Sequence, residues 1–315
     1  MSIKTGSLRH DALLYATDQE FTDAVSTFIR EGVEQETPVI TVTTQANIGL
    51  LCDALGSDAD QVEFVDAQAW YQHPLHTIDA YRRTLDDRLA AGAPSVRVVG
   101  EVQFGETDEL QRDWLRYEAA LNQVFADAAA WIVCPYDERT LPASVVEHAG
   151  RTHPHVWRGH GRSASQTYTD PWNATRQLLT SPQVAGPVVG EIDIDGDLSA
   201  TRTAVRDIAA AAGLQADRVE ELTLAVTEVV TNALVHGVPP VLLRFYNDGA
   251  ALTCDISDNG GGFIDPLAGF LPPADATKAE GGRGLWLSRH LSDRLEFVPS
   301  DGKTVLRLSK SLNQA

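Results

Sequence analysis

Along the first half of the chain, short β-branched runs alternate with stretches whose apolar residues recur every three or four positions. HDALLYA at 10–16 reads as a strand, and from Asp18 to about Glu34 the residues Phe21, Val25 and Phe28 fall on one helical face. PVITVTT at 38–44 is β-branched almost throughout, the pattern of a strand buried on both sides. Further strands are predicted at 62–67 (VEFVDA), 95–102 (SVRVVGEV) and 129–136 (AAWIVCPY), with helical patterns at 46–55, 76–91 and 108–127. This alternation predicts an α/β domain with a mostly parallel sheet and helices on both faces.

From about Arg158 to Val189 the periodicity dissolves. GHGRSASQTYTDPWNATRQLLTSPQVAGP is rich in Gly, Ser, Thr and Pro, which predicts a connector with a short helix near NATRQLL. The domain boundaries predicted are therefore 1–165, a linker at 166–189, and 190–315. The second domain opens with a helix from Ser199 to Ala212 that ends at Gly213, and a second helix starts near Ala216. Two strand-like runs, PVLLRFYNDG and AALTCDISDNG, meet at the hairpin signal Asn247-Asp248-Gly249. A helix near 284–293 and closing strands LEFVPSD and KTVLRLSK complete an α+β layout.

Bulk composition narrows the function classes. With 315 residues, 43% hydrophobic and 22% charged, the chain has enough apolar material for two ordinary cores. The net charge of -19 and the lack of any long Lys/Arg run argue against a nucleic-acid backbone binder. No run of eighteen apolar residues predicts a membrane span, and the first twenty residues lack the apolar core of a secretory signal, so a cytoplasmic location is expected. Cys52, Cys134 and Cys254 form no C-x-x-C pair, so neither a disulfide framework nor a thiolate zinc site is suggested.

Chemistry first becomes visible in EVVTNALVHG, residues 228–237. Glu228, Asn232 and His236 follow one another at steps of four, and each step drifts by only roughly 40° around a helix. A carboxylate, an amide and an imidazole thus share one stripe beside Val226, Val229, Val230 and Ala233; a solvated polar face would read the same way. After the second hairpin strand comes SDNGGGF at 257–263, where glycines let a backbone approach a ligand closely. EGGRGLWLSRHL at 280–291 then leads three glycines into an amphipathic helix, which points backbone N–H groups at an anion.

Taken in order, the polar helix, Asp-x-Gly-x-Gly, Gly-Gly-Arg-Gly and a final GKT resemble the Bergerat-type ATP-binding sandwich of the GHKL superfamily, over about 195–310. The resemblance implies ATP with Mg²⁺, held by Asn232. It implies that Asp258 accepts from the adenine amino group, that Gly260 and Gly262 let base and ribose sit close, and that Gly282, Arg283 and Gly284, with Leu285, border the triphosphate beneath a lid at about 264–280. Thr304 closes the adenine side, although a lone Thr before a strand is also simply a β former. Within the superfamily, E-x-x-x-N-A-x-x-H at Glu228, Asn232, Ala233 and His236 is similar to the anti-sigma-factor serine kinases. That likeness implies a sigma factor and an anti-anti-sigma (STAS-type) protein as partners, and leaves room for a homodimer. Glu228 would then take the proton of the attacking hydroxyl, or else merely orient water or pair with a cation. His236 would contact nucleotide or only complement the helix dipole. Three alternatives stay open: an ATP-binding interaction protein without transferase activity, the catalytic half of a histidine kinase with a separate phosphoacceptor, and an ATPase without any protein acceptor. His155 and His160 sit in no long amphipathic helix of the kind a phosphoacceptor hairpin needs.

The first domain resembles the MEDS sensory domain over about 8–165, through RHDALLYATDQEF, GEVQFG, RYEAALNQVF, CPYDERTLP and THPHV. The resemblance implies a RecA-like fold. No G-x-x-x-x-G-K-[ST] occurs there, so independent ATP hydrolysis is not supported. His10, Glu101 and Tyr136 fall at ends of predicted strands and are the candidate contacts for a small-molecule ligand, with Trp70, Phe104 and Trp114 as candidate apolar walls. His10, Cys134 and His153 are metal-ligating types, but Cys134 lies inside an apolar run and reads as core.

Overall fold

The computed structural model describes residues 7–159, 161–180, 183–262, 265–270 and 283–312. The chain divides into two compact units, Met1–Leu178 and Leu179–Ala315.

In the first unit the strands are β1 (Arg9–Tyr15), β2 (Val39–Thr43), β3 (Val62–Asp66), β4 (Val96–Gly100), β5 (Ala130–Asp137), β6 (His155–Arg158) and β7 (Gly161–Ala164). Between them run α1 (Asp18–Glu34), α2 (Gln45–Leu55), α3 (Ala67–Trp70), α4 (Pro74–Ala90), α5 (Asp108–Val124), α6 (Ala143–Thr152) and α7 (Pro171–Arg176). The sheet order is β3-β2-β4-β5-β1-β6-β7, parallel except for the β6–β7 hairpin at one edge. Every residue of β2 and β4 is buried, as their unbroken apolar runs require of strands covered on both faces. The helices begin where a hydroxyl can satisfy a free N–H: Thr17 accepts from Glu20, Thr44 from Asn47 and Thr107 from Leu110.

The stretch read from sequence as the start of a connector is built into this unit. Arg162 on β7 forks onto the buried Asp11 of β1 at 2.7 and 3.1 Å, and the Trp131 and Trp157 indoles donate to the same carboxylate. Helix α7 packs on α5, and Arg116 donates to the carbonyl of Leu178 at 3.2 Å. A Gly/Ser/Thr-rich sequence hides such structure, because its ties are long-range ion pairs rather than a periodic apolar face.

The second unit is a five-stranded sheet, β11 (Arg294–Phe297), β12 (Thr304–Ser311), β10 (Ala251–Asp258), β9 (Val241–Asn247) and β8 (Val188–Ile194), in that spatial order and antiparallel throughout. Alternate residues of β10 are buried, so one face is available for packing. That face meets α8 (Leu198–Ala211), α9 (Ala216–His236) and α10 (Arg283–Leu291). Their core is Val205, Leu222, Val226, Val229 and Val230 against Leu243, Phe245, Cys254, Ile256 and Leu308. The molecule thus has one α/β unit with a mixed sheet and one unit in which helices cover an antiparallel sheet, an architecture consistent with a GHKL-type ATPase. No helix among the described residues is long and apolar enough to cross a membrane.

Candidate functional site

The polar stripe of α9 and the end of β10 come together because the loop after α9 is stitched to the loop after β10. Gly237 caps α9, its N–H donating to Ala233. The next residue, Val238, donates its N–H to Asp258 Oδ1 at 3.2 Å and accepts at its carbonyl from Asn259 at 2.7 Å. Asp258 Oδ1 also accepts from Gly260 N–H at 2.6 Å. One carboxylate oxygen of a residue only 5% exposed is therefore occupied by two backbone donors. Its Oδ2 accepts no hydrogen bond among the described residues, and Asp258 lines a cavity of about 510 Å³, within the size range of small-molecule sites.

Asn232, His236, Asp258 and Thr304 supply the polar lining of that cavity, and Val229, Ile256, Leu285, Phe297 and Leu306 its apolar walls. Thr304 lies opposite Asp258 in the β10–β12 register. Glycine is needed at two lining positions because no side chain fits. A Cβ on Gly260 would stand 2.5 Å from Asp258 Oδ1 and 3.0 Å from Thr304 Oγ1, and one on Gly237 would stand 2.7 Å from Asp258 Cγ. Gly262 adopts φ +80° at the end of the same turn, a left-handed conformation that side chains resist.

At the first turn of α10, a Cβ on Gly284 would lie 3.0 Å from Glu228 Oε2 and 3.2 Å from Asn232 Nδ2. The carboxylate and the amide one helical turn apart on α9 therefore converge on the backbone of α10. Neither side chain makes a hydrogen bond within the described residues, and both are half-buried. Glu228 and Arg283 stand at this turn of α10 and Gly262 stands beside the Ser300 and Lys303 carbonyls; none of the three lines the cavity itself. Gly282 and most of the predicted lid lie outside the described residues. Oxygen donors such as the Asn232 amide and the Asp258 carboxylate suit a hard cation and an exocyclic amine respectively. The glycine-backed cavity and the open Oδ2 fit a purine nucleotide.

Sequence reasoning missed Arg289. Its guanidinium, 7% exposed, donates to Ala268 O and Leu295 O, each at 2.7 Å, and lies 4.4 Å from the Phe270 ring centroid. It thereby holds residues 265–270, which include the cavity-lining Ala268 and Gly269, against α10. An arginine on the buried side of an amphipathic helix was the available signal.

In the first unit Glu101 separates from the other two candidate ligand contacts. Glu101 is consumed on the Tyr15 side of the sheet: Tyr15 donates to it at 3.0 Å, Asn47 at 2.9 Å, and the Thr43 hydroxyl also donates. Burial, followed by the Glu101 charge, pushes the Tyr15 phenol well up. His10 stands at the amino end of β1 and Tyr136 near the carboxyl end of β5, yet the His153 ring lies against both, with centroids 4.0 and 5.7 Å away. Trp114 packs edge-on against Tyr71 and Tyr117, so it fills the interior rather than walling a pocket. Cys134 is buried as its apolar run required, yet it sits 3.3 Å from His10 Nε2, not simply among aliphatic groups. Glu118 of α5 and His153 join them. Burial works to raise the Glu118 pKa, but His10 and then His153 outweigh it and bring it to about 2, so the carboxylate is ionised. Burial and the Glu118 charge push the Cys134 thiol well up. Burial and His153 lower His10.

Comparison with known proteins agrees with both units. Residues 9–154 match the family described as MEthanogen/methylotroph, DcmR Sensory domain (MEDS), and residues 193–310 match the histidine kinase-like ATPase domain. The chain is 28% identical over 120 residues to the anti-sigma F factor of Thermoanaerobacter pseudethanolicus, covering 36% of this chain and 83% of that protein. It is 31% identical over 124 residues to the serine-protein kinase RsbW of Halalkalibacterium halodurans, covering 36% of this chain and 75% of that protein. A cavity floored by Asp258 and framed by α9 and α10, on a domain shared with these proteins, places the chain in the histidine kinase-like ATPase family, as an anti-sigma kinase-like ATPase that carries a MEDS domain.

Proposed function

We propose that the second unit is a Mg·ATP-dependent anti-sigma factor and protein serine/threonine kinase that phosphorylates an anti-anti-sigma antagonist. The single observation that carries the reading is the pairing of an open Asp258 Oδ2 in a glycine-backed cavity with Glu228 and Asn232 converging on Gly284. When bound, Mg·ATP supplies the phosphoryl group and the charge that polarises it. Asp258 accepts the adenine amino hydrogen, and its two backbone donors keep the carboxylate from turning away. Gly260 and Thr304 leave room for the base, Leu285 and Phe297 exclude water from its faces, and the Asn232 amide oxygen offers the metal a hard ligand. Glu228, one turn earlier, is placed to take the proton of a serine or threonine hydroxyl, a role that ordinarily contributes about 10²–10⁴-fold. His236 and Arg283 edge the phosphate end.

The first unit, read as a RecA-related sensor, would set this activity. It can do so only if its ligand prefers one state of the kinase unit over another. The test is incubation of the full chain with radiolabelled ATP, Mg²⁺ and a candidate antagonist. Acid-stable phosphate on serine or threonine, abolished by Asn232→Ala, is expected. ATP bound without transfer would retire the kinase in favour of a nucleotide-shaped interaction protein, and acid-labile phosphate on histidine would favour a histidine kinase half.

A further inference from the structure

The interior of the first unit contains four ligand-type side chains that the kinase chemistry does not use. His10 on β1 and Cys134 on β5 share one face of the sheet, since His10 pairs with Ile132 and Ala12 with Cys134 in the parallel register. Glu118 from α5 and His153 from the end of α6 reach the same point. His10, Glu118, Cys134 and His153 are 2%, 0%, 2% and 0% exposed, and one donor atom from each lies within 4.8 Å of all the others.

Hydrogen bonding orients both imidazoles. The Asn122 amide nitrogen donates to Thr152 O at 2.6 Å, so its oxygen faces His10 and must accept the His10 Nδ1 proton at 3.2 Å. His153 Nδ1 lies 2.9 Å from Ala149 O and 3.0 Å from the Thr152 hydroxyl. The opposite nitrogen of each ring, Nε2, faces Glu118 Oε2, at 3.4 and 3.3 Å. Neither carboxylate oxygen of Glu118 has an aligned hydrogen-bond donor among the described residues. Two imidazole nitrogens, a carboxylate and a thiol, with the Tyr136 phenol beside Glu118, thus converge in a fully buried spot where a bound cation would balance the carboxylate charge.

We infer that His10, Glu118, Cys134 and His153 bind a single divalent transition-metal ion of the zinc class in a closed four-coordinate site. Metal–ligand bonds of about 2.0–2.3 Å put tetrahedral ligand atoms about 3.3–3.7 Å apart. The His10–Cys134, His10–Glu118 and His153–Glu118 separations of 3.3, 3.4 and 3.3 Å agree with that spacing. Two imidazoles, a carboxylate and a thiolate neutralise a dication and suit zinc better than magnesium or calcium. Each imidazole is also oriented from behind by an oxygen acceptor, Asn122 Oδ1 or Ala149 O, the outer-shell arrangement that metal-bound histidines use. Proteins recognised by C-x-x-C spacing would not include this one, because its ligands come from four separate elements.

The experiment uses the full chain, stripped with a chelator and checked for folding by circular dichroism, then titrated with Co²⁺ followed by Zn²⁺. One equivalent of Co²⁺ with tetrahedral visible bands and a thiolate-to-cobalt charge-transfer band is expected, displaced by Zn²⁺. Cys134→Ser should lose the charge-transfer band, His153→Gln should weaken binding by more than about 100-fold, and Asn122→Ala by about 10–100-fold. His155→Gln, on the opposite face beside Asp11, should change nothing. If Cys134→Ser fails to fold, retention of the band in a Cys52→Ser/Cys254→Ala double variant assigns it to Cys134. A folded, stripped chain that takes up neither ion, or whose cobalt spectrum lacks the thiolate band, overturns the assignment.

Discussion

Replacing Asp258 by Asn separates what this carboxylate does for the fold from what it does for a ligand. Its Oδ1 accepts from Val238 and Gly260 N–H at 3.2 and 2.6 Å. An asparagine must keep its oxygen there, since turning the amide would set a donor against two donors. The NH₂ group is therefore forced into the Oδ2 position. Exchanging two charge-assisted bonds for neutral ones costs up to about 2 kcal/mol of stability, offset by no longer burying a charge. At the ligand, a charged acceptor worth about 1.5–3 kcal/mol becomes a donor aimed at the adenine amino group, itself a donor. Affinity for ADP should drop by about 10–150-fold, while the ADP-to-GDP preference narrows, because guanine O6 accepts where adenine donates. Asp258→Ala is the contrasting case: two buried N–H groups lose their acceptor, at about 1–3 kcal/mol each, so folding itself should suffer. Calorimetry with ADP and GDP in Mg²⁺ buffer, paired with thermal melts, reads both effects. An Asp258→Asn chain that melts normally and binds ADP within threefold of the parent would refute the assignment of Oδ2 to the base.

Other outcomes follow from the same geometry. Glu228→Gln should keep nucleotide affinity within a few-fold and lower phosphate transfer by about 10²–10⁴-fold in a single-turnover assay; unchanged transfer would remove it as the base. Gly237→Ala would set a methyl group 2.5 Å from Ala233 O and 2.7 Å from Asp258 Cγ, so a loss of about 1–3 kcal/mol is expected in urea unfolding, and a neutral result would mean that the α9 cap is pliant. Arg289→Met should weaken ADP binding by loosening residues 265–270, with a larger effect on dissociation rate than on association, measured by stopped flow. The N–H groups of Ala251 and Ala250 hold the Asp248 carboxyl below its ordinary range; its contribution to the hairpin is present above the ordinary carboxyl pKa and lost as pH falls through the lower folded value. Asp248→Asn should therefore flatten the acid limb of the stability profile.

Local chemistry made much of the kinase-like unit legible in the chain itself. A four-residue polar step marks α9, three consecutive glycines mark the turn after β10, and Asn-Asp-Gly marks the hairpin between β9 and β10, because each depends on neighbours a few residues apart. The same holds for the buried parallel strands, whose β-branched runs are unbroken. What tertiary structure alone decided lies between distant segments. Cys134 looked like core because it is core by burial, and burial says nothing about which atoms lie across the interior. Only packing α5 and the end of α6 onto β1 and β5 brings Glu118 and His153 to His10, and only the sheet order, with β2 beside β4 and β1 one strand removed, commits Glu101 to Tyr15, Asn47 and Thr43 instead of to a ligand. Periodicity records which face of an element is hidden. The partner met on that hidden face is set by topology, and for that reason four ligand-type residues from four elements left no local pattern to read.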